Sequence, residues 1–420
     1  MGHTLAEKIL ASKCGQSEVY PGQFINARVD LVLASELSGV LAIEEFEKIK
    51  GARIFDPQKV VLVMDHFTPA KDIKSAEIVK RCRVFGRQHG VRFYDVGRAG
   101  IQHVLLPEQG LVAPGDLIAG ADSHTCTYGF LGAFGTGIGS TDAAAAMILG
   151  EIWLKVPESI KIVYHGKPPR WVGGKDLILY TIGLLGVDGA RYQAMEFTGE
   201  AFQYLEMADR FTIANMAIEA GAKTGLIAAD EKTRSYLQAR GREDGQYWQS
   251  DPDANYAATY NIEISKFEPF IAVPFLPENA KPLSELAGLE IDQVAIGMCT
   301  NGNIEDLRAA AEVFHGRKLH PRVRAVIIPG SQKVYLDALR EGLIEIFIEA
   351  NCSVSTPTCG PCLGGHMGVL ASGERCISTS NRNFKGRMGH PESEVYLANP
   401  YIAAAAAVAG QIISPSEILS

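Results

Sequence analysis

The sequence predicts an α/β protein with mainly parallel sheets, organised as three α/β domains. Apolar segments typical of buried strands run directly into polar residues, and helical patterns alternate with those segments along the 420 residues. With 47% hydrophobic and 21% charged residues, the chain can bury several substantial cores. These features predict an ordered globular protein.

The strand and helix predictions follow from hydrophobic periodicity. The predicted strands are 59–66, 115–124, 294–302 and 323–330. The clearest helices are 75–90, 140–154 and 303–316. Ligands bind beyond the carboxyl ends of parallel strands, so we expect the polar residues that end these segments to share one site. Proline-containing passages at 156–157 and 269–282 divide the chain into domains 1–157, 158–272 and 273–420, the last of which carries the clustered cysteines.

Charge and composition exclude several classes of partner. The net charge is -8 and there is no Lys/Arg-rich run, so no nucleic-acid partner is expected. The first residues lack the apolar core of a signal peptide, and the longest apolar run, Tyr401–Ile413, is too short to cross a bilayer. We therefore expect a cytoplasmic protein with no membrane partner. In a reducing compartment, clustered cysteines are better read as metal ligands or catalysts than as disulfides.

Three of the eight cysteines lie in turns that suit an inorganic ion. Cys359 and Cys362 lie in TPTCGPCLGGH, and Cys299 lies in GMCTNG. A structural zinc with His366 or Cys352 as the fourth ligand, a thioredoxin-like dithiol and an iron-sulfur cluster are all compatible with this pattern. A cluster held by only three thiolates leaves one iron open to water or substrate, where it can act as a Lewis acid.

Candidate acid–base residues occur in pairs. Asp65 adjoins His66 in MDHFTP, and a carboxylate next to an imidazole raises its pKa, which suits a proton donor. The other candidates of this kind are His103 in GIQH, and Asp122, Ser123 and His124 in ADSHT.

Two further groups could bind a small acid. Asn215 and Glu219 are four residues apart and would share one face of a helix. Asn381, Arg382 and Arg387 lie in the predicted loop STSNRNFKGRMG, where arginines can bind carboxylates bidentately. Dehydration of a hydroxy acid needs an acid, a base and carboxylate-binding groups of these types.

Taken together, these motifs resemble the aconitase superfamily, and in particular its two-subunit isopropylmalate dehydratase branch. The resemblance runs from LAEKILA through MDH, GIQH, ADSHTCTYG, NMAIEAGAKTGL, CTNG, CGPCLG and SNRNFKGRMG. It implies that Cys299, Cys359 and Cys362 bind a 4Fe-4S cluster whose open iron coordinates the substrate hydroxyl and a carboxylate. It also implies that His66, paired with Asp65, donates a proton to the departing hydroxyl.

The resemblance assigns roles to the remaining candidates as well. It implies that His103, Asp122, His124 and Glu219 belong to the catalytic set, while the substrate-binding residues are Ser123, Asn215, Asn381, Arg382 and Arg387. Two positions depart from the family pattern. Asn303 stands where the motif usually continues as CTNGR, and LVLASELSG has no clear counterpart of the substrate-binding glutamine of aconitases.

The resemblance further implies a divided enzyme. Single-chain aconitases carry their serine base on a fourth, swivelling domain, whose Gly-Ser-Ser-Arg-Glu segment does not occur here. We therefore expect a separate small subunit to supply the base, and this chain alone to be inactive. The implied reaction interconverts 2-isopropylmalate and 3-isopropylmalate through isopropylmaleate in leucine biosynthesis. Alternatives are a homoaconitase-type subunit of lysine biosynthesis, a dimethylmalate or citraconate hydratase, and a non-catalytic iron-sulfur or zinc protein.

Overall fold

The computed structural model describes residues 2–419, and its first part is built on a parallel sheet. The elements of this part are α1 (Leu5–Cys14), β1 (Phe24–Arg28), β2 (Leu31–Ser35), α2 (Glu36–Lys48), β3 (Val60–Val63), α3 (Ile73–His89), β4 (Arg92–Tyr94), α4 (Gln102–Glu108), β5 (Leu117–Gly120), β6 (Phe134–Gly137), α5 (Ser140–Leu149) and β7 (Glu151–Lys155). Five strands pair in the order β4-β3-β2-β5-β6, all parallel, and β1 pairs with β7 as an antiparallel ribbon. The chain moves outward from β2 in one direction and from β5 in the other. The carboxyl ends of β2 and β5 therefore flank the switch point where ligands bind in such sheets.

A second parallel sheet follows. Its elements are β8 (Ser159–His165), α6 (Gly174–Leu185), β9 (Ala194–Thr198), α7 (Met207–Met216), β10 (Thr224–Ile227), α8 (Glu231–Gln238) and β11 (Ala258–Glu263). The strand order is β10-β9-β8-β11. Helix α7 is followed directly by a 3₁₀ turn, Ala217–Ala220.

The third sheet is the largest. Its elements are β12 (Phe270–Ala272), β13 (Ala280–Pro282), β14 (Gln293–Gly297), α9 (Met298–Asn301), α10 (Ile304–Phe314), β15 (Arg324–Ile328), α11 (Gln332–Arg340), α12 (Leu343–Glu349), β16 (Ser353–Val354), β17 (Arg375–Ser378), β18 (Glu394–Leu397) and α13 (Pro400–Ala409). The order is β13-β12-β18-β17-β14-β15-β16, parallel from β18 to β16. Here the switch point lies between β14 and β17, whose carboxyl ends lead to Cys299 and Asn381.

The observed elements correct several predicted bounds. The predicted helix 140–154 ends at Leu149, because Gly150 adopts a left-handed conformation (φ 71°) that starts β7. The predicted strand 294–302 ends at Gly297, after which the Cys299 segment forms a helical turn. Strand β12 falls inside the predicted second domain but pairs with β13 and β18 of the third sheet. The three-domain division stays a prediction, and its second boundary would lie before Phe270.

One continuous apolar core joins the three sheets. It includes Leu33 of β2, Ile162 of β8 and Ile296 of β14, each 0% exposed. The sheets thus pack against each other closely enough for side chains from all three to meet in one site. No helix within residues 2–419 has the length and apolar character to cross a membrane.

Candidate active site

The turn after β3 carries Asp65 and His66. His66 Nδ1 lies 2.6 Å from one carboxylate oxygen of Asp65, and both side chains are buried. The other Asp65 oxygen accepts the backbone N–H of Gln102 at 2.7 Å. Burial alone would lower the pKa of His66, but the Asp65 carboxylate, helped by Glu36 and Asp122, raises it to about 10. His66 is therefore an imidazolium near pH 7, with its Nε2 proton free to move to a ligand.

Glu36, the first residue of α2, accepts hydrogen bonds from the backbone of the turn that carries Asp65 and His66. Its carboxylate is fully buried and accepts the backbone N–H of Asp65 at 3.0 Å and that of Phe67 at 2.5 Å. Burial raises the pKa of Glu36 against the opposing effect of the His66 charge. The sequence prediction missed Glu36, although its place directly after the buried strand β2 is the signal that could have found it.

Asp122 follows β5 and joins two histidines. Its Oδ1 lies 2.8 Å from His103 Nε2 and accepts the backbone N–H of His124 at 2.8 Å. Burial alone would raise the pKa of Asp122, but His103 and His124 hold it well below its usual range. Asp122 therefore remains a carboxylate and fixes the orientation of His103, which lies near the start of α4.

A second hydrogen-bonded chain runs from His124 to Arg382. His124 Nε2 lies 2.8 Å from Glu219 Oε1, and Arg382 Nε donates to both Glu219 oxygens, at 2.8 and 3.0 Å. Burial and the Arg382 charge lower the pKa of His124. Burial alone would raise the pKa of Glu219, but His124 and Arg382 lower it. Glu219 is thus a buried carboxylate whose charge is matched by Arg382.

Three cysteines converge beside these residues. Cys299 lies in α9, while Cys359 and Cys362 lie at the 3₁₀ turn Gly360–Leu363. The neighbouring Cys299 and Cys359 thiols hold the pKa of Cys362 well below its usual value, whereas the interaction with Cys362 and burial raise their own pKa values well above it. The backbone N–H of Cys359 donates to the Asp65 carbonyl at 2.8 Å. The cysteine loop is thereby tied to the turn that carries the candidate proton donor.

The three sulfurs do not all lie within 4.8 Å of one another. Among residues 2–419, one trio of His, Cys, Asp or Glu ligand atoms lies mutually within 4.8 Å, and it is Glu36, Asp65 and His66, not the cysteines. At least one pair of cysteine sulfurs is therefore farther apart. A single zinc with Zn–S bonds of about 2.3 Å would hold its sulfurs within about 4 Å of each other. The arrangement thus differs from that of a formed mononuclear zinc site.

The fourth ligands considered for zinc do not join the cysteines. Neither Cys352 nor His366 lies in the wall of the cavity that the three sulfurs face. His366 instead places its Nε2 3.0 Å from the Pro69 carbonyl oxygen. The two fourth ligands considered for zinc are therefore not among the residues that share this cavity with the cysteines.

Donor groups approach the sulfurs from the loop after β17. Asn381 Nδ2 lies 3.1 Å from Cys299 Sγ, and Arg387 Nη2 lies 3.6 Å from Cys362 Sγ. Asn215 Oδ1 accepts a hydrogen bond from Asn381 at 3.1 Å and so fixes that amide. Hydrogen-bond donors and a guanidinium favour thiolate over thiol, which is the form that binds metal. The donor set therefore fits an iron-sulfur cluster.

The acid–base residues, cysteines and arginines share one cavity of about 390 Å³. Its wall consists of Leu37, Asp65, His66, Ile101, Gln102, His103, Asp122, His124, Cys299, Cys359, Cys362, Leu363, Asn381, Arg382 and Arg387. Side chains from the first and third sheets thus surround one space of a size suited to a small acid beside a cluster.

Three predicted site residues lie outside this wall. Asn215 and Glu219 stand behind it and act through Asn381, His124 and Arg382. Their shared helix face is interrupted, because α7 ends at Met216 and Glu219 belongs to the following 3₁₀ turn. Ser123 lines a neighbouring cavity that shares Asp122 with this one.

Comparison with known proteins identifies the family. The model of the aconitase family (aconitate hydratase) matches residues 7–290 and 284–410. A 3-isopropylmalate dehydratase large subunit from Moorella thermoacetica is 61% identical over 100% of both chains. Proteins of the same name from Hydrogenobaculum sp. and Aquifex aeolicus are each 58% identical over 100% of this chain, and over 99% and 98% of their own lengths.

A solved structure supports the fold independently. Aconitase X from Thermococcus kodakaraensis, in its holo-form, superposes with a TM-score of 0.52 over 90% of this chain and 88% of its own. Only 15% of the aligned residues are identical, so this similarity concerns the fold alone. The family model and the full-length relatives go further, and on their evidence the chain belongs to the aconitase family.

Proposed function

We propose that this chain is the cluster-binding large subunit of a 3-isopropylmalate dehydratase. The reaction would interconvert 2-isopropylmalate and 3-isopropylmalate by dehydration and rehydration through isopropylmaleate. The observation that carries the proposal is the convergence of three cysteine sulfurs, the Asp65–His66 pair and two arginines on one cavity of about 390 Å³. The names of the full-length relatives support the choice of substrate.

Cys299, Cys359 and Cys362 would hold a 4Fe-4S cluster. The shared cavity of the three sulfurs and the donors on Asn381 and Arg387 support this assignment. When bound, the cluster supplies an iron without a protein thiolate, a Lewis acid for the substrate hydroxyl and one carboxylate.

His66 would act as the general acid in dehydration. Asp65 keeps it charged and fixes its ring by the 2.6 Å contact at Nδ1, so Nε2 carries the proton that moves to the departing hydroxyl. In the reverse direction the same nitrogen accepts a proton from the incoming water. Asp122 would hold His103 at the neighbouring part of the wall.

Arg382 and Arg387 would bind the substrate carboxylates. Glu219 holds Arg382 through its Nε, so the two terminal nitrogens remain for a carboxylate. Both arginines are partly buried, which strengthens such contacts because water competes for them less than at the open surface. His124 and Asn215 would act indirectly, by fixing Glu219 and Asn381.

The base that removes the carbon-bound proton would come from a small-subunit partner, as a serine. Within residues 2–419, the cavity wall contains no serine, lysine or tyrosine that could take this role. The chain would then bind its cluster alone but turn over only as a complex. Whether the complex has one or two copies of each subunit has no bearing on this division of roles.

A substrate panel tests the proposal. The chain is reconstituted anaerobically with iron and sulfide, and assayed with and without its small subunit on both isopropylmalates, homoaconitate, citrate, citraconate and dimethylmalate. We expect a cluster that readily loses one iron and activity on isopropylmalate only in the complex. Preference for homoaconitate would move the assignment to the lysine-pathway alternative. Zinc or four-cysteine ligation would refute the hydro-lyase proposal, and full activity of the isolated chain would refute the division of labour.

A further inference from the structure

Lys175 is a buried cation that links two parts of the fold. It lies at the start of α6, beside the second sheet, and its side chain is only 1% exposed. Its ammonium donates to the carbonyl oxygens of Thr379 at 2.9 Å and Ser380 at 2.5 Å, and it lies 3.4 Å from Asn301 Oδ1. All three acceptors belong to the third sheet's part of the chain, since Thr379 and Ser380 follow β17 and Asn301 ends α9. One side chain therefore ties two cavity-forming segments to a separate α/β unit.

The acceptors are immediate neighbours of candidate site residues. Ser380 precedes Asn381, whose amide lies 3.1 Å from Cys299 Sγ, and Arg382 comes next. Asn301 follows Cys299 by two residues in α9. A shift of the Lys175 ammonium would therefore displace the segments that carry both Asn381 and Cys299.

A lysine is a costly choice for this interior position. Burial lowers the pKa of Lys175 to about 7, and the negative groups that oppose this effect are Cys299 and, more weakly, Asp306, Asp176 and Cys362. Buried charges are otherwise rare unless they are paired and fully hydrogen-bonded. The Thr379 and Ser380 carbonyls supply those hydrogen bonds, and both belong to the segment that leads into Asn381, so the lysine is associated with the cysteine site through that segment.

We propose that Lys175 is a positioning residue for the cysteine site. Its ammonium fixes the segment 379–382 against the Cys299 turn and places a positive charge beside the sulfurs. The inference rests on the cluster assignment made under Proposed function. It concerns neither a ligand of the metal nor a group that touches the substrate.

Loss of the ammonium has two expected consequences. Two buried carbonyls lose their donor, so the loop that carries Asn381 and Arg382 loosens. Removing a group that positions metal ligands without binding the metal itself typically lowers metal affinity or activity by about 10- to 100-fold. Removing a positive charge also makes an anionic cluster harder to reduce, so its midpoint potential should become more negative.

The test compares the unmodified chain with Lys175→Met, whose side chain has a similar length but neither a charge nor a hydrogen-bond donor. Lys232→Met is the matched control, because Lys232 also donates to two backbone carbonyls, those of Gln203 and Leu205 at 2.9 Å each, but lies outside the cavity wall. Each protein is reconstituted anaerobically with iron and sulfide. The measurements are cluster absorbance, cluster half-life in air, midpoint potential by EPR-monitored titration, and KM and kcat with the small subunit.

We expect Lys175→Met to shorten the cluster half-life about tenfold or more, to make the potential more negative and to raise KM, while Lys232→Met matches the unmodified chain. Unchanged half-life and potential in Lys175→Met would overturn the inference. If that variant does not fold, Lys175→Gln decides by the same criteria. Failure of both variants to fold would overturn it too, since Lys175 would then serve stability alone. Absence of a cluster in the unmodified chain would instead refute the proposed function.

Discussion

The Asp65→Asn variant tests the proton-donor role of His66 most directly. Asparagine has the same shape and can still accept the Gln102 N–H that Asp65 accepts at 2.7 Å. It then turns its amide N–H₂ toward His66 Nδ1, which in the unmodified chain donates to the carboxylate at 2.6 Å. The imidazole would have to accept at Nδ1, and its Nε2 proton could not leave without forming an imidazolate.

The size of the effect follows from the pKa of His66. That pKa is about 10, so the group is almost fully protonated at pH 7. Without the Asp65 charge and hydrogen bond, burial is opposed only by the weaker effects of Glu36 and Asp122, so the pKa of His66 falls and the neutral fraction at pH 7 grows. Lost orientation and the wrong tautomer bring the expected fall in kcat to about 10²–10⁴-fold.

The assay follows the ultraviolet absorbance of the unsaturated intermediate between pH 5.5 and 9, with the cluster and small subunit present. We expect Asp65→Asn to regain part of its rate toward pH 5.5, where the imidazole recovers its proton, while KM changes little. Asp95→Asn is the control, because Asp95 pairs with Arg83 and lies outside the cavity wall. A kcat for Asp65→Asn within threefold of the unmodified value, with the same pH profile, would refute the assignment of His66.

Three further outcomes are expected. Cys359→Ser should abolish cluster absorbance after reconstitution, whereas Cys376→Ser, which removes a buried cysteine outside the cavity wall, should keep it; equal absorbance in both would remove Cys359 from the ligand set. Arg382→Lys should raise KM about tenfold or more, because an ammonium loses the two-pronged contact; steady-state kinetics check this, and an unchanged KM would contradict it. The pKa of buried His66 is raised from 6.5 to about 10, which contributes roughly 5 kcal/mol to the free energy of unfolding. This contribution is full below pH 6.5 and is lost as the pH rises through about 10. Urea denaturation of the Asp65→Asn chain should therefore show a weaker loss of stability over that range than the unmodified chain.

The sequence was sufficient to predict the fold class and the places where the site forms. Each predicted strand overlaps an observed one, and the polar residues at the ends of β3, β5 and β14 do meet in one cavity, because parallel strands present their carboxyl ends at one edge of a sheet. The bounds were less predictable. A glycine such as Gly150 can continue or end a helix, and only its left-handed conformation, set by the packing of β7, decides between the two.

Two kinds of site feature lay beyond prediction from sequence. Glu36 accepts a hydrogen bond from Asp65, 29 residues away, and Lys175 donates one to Thr379, 204 residues away. No local sequence pattern encodes contacts of this separation. Conversely, Asn215 and Glu219 were predicted to line the site, but they stand behind its wall. A periodicity of four places two side chains on one face of a helix without fixing how deep that face lies.

The balance of charge in the cavity indicates the class of substrate. Asp122 accepts hydrogen bonds from His103 and from the backbone of His124, and Glu219 pairs with Arg382, so both carboxylates already have partners within the chain. Arg387 differs, because it forms no ion pair with a carboxylate among residues 2–419, and its Nη2 lies 3.6 Å from Cys362 Sγ. A guanidinium without a carboxylate partner in the chain can bind one from a ligand. With the terminal nitrogens of Arg382, the site therefore offers two separate guanidinium contacts, and it favours an acid with at least two carboxylates over a monocarboxylate.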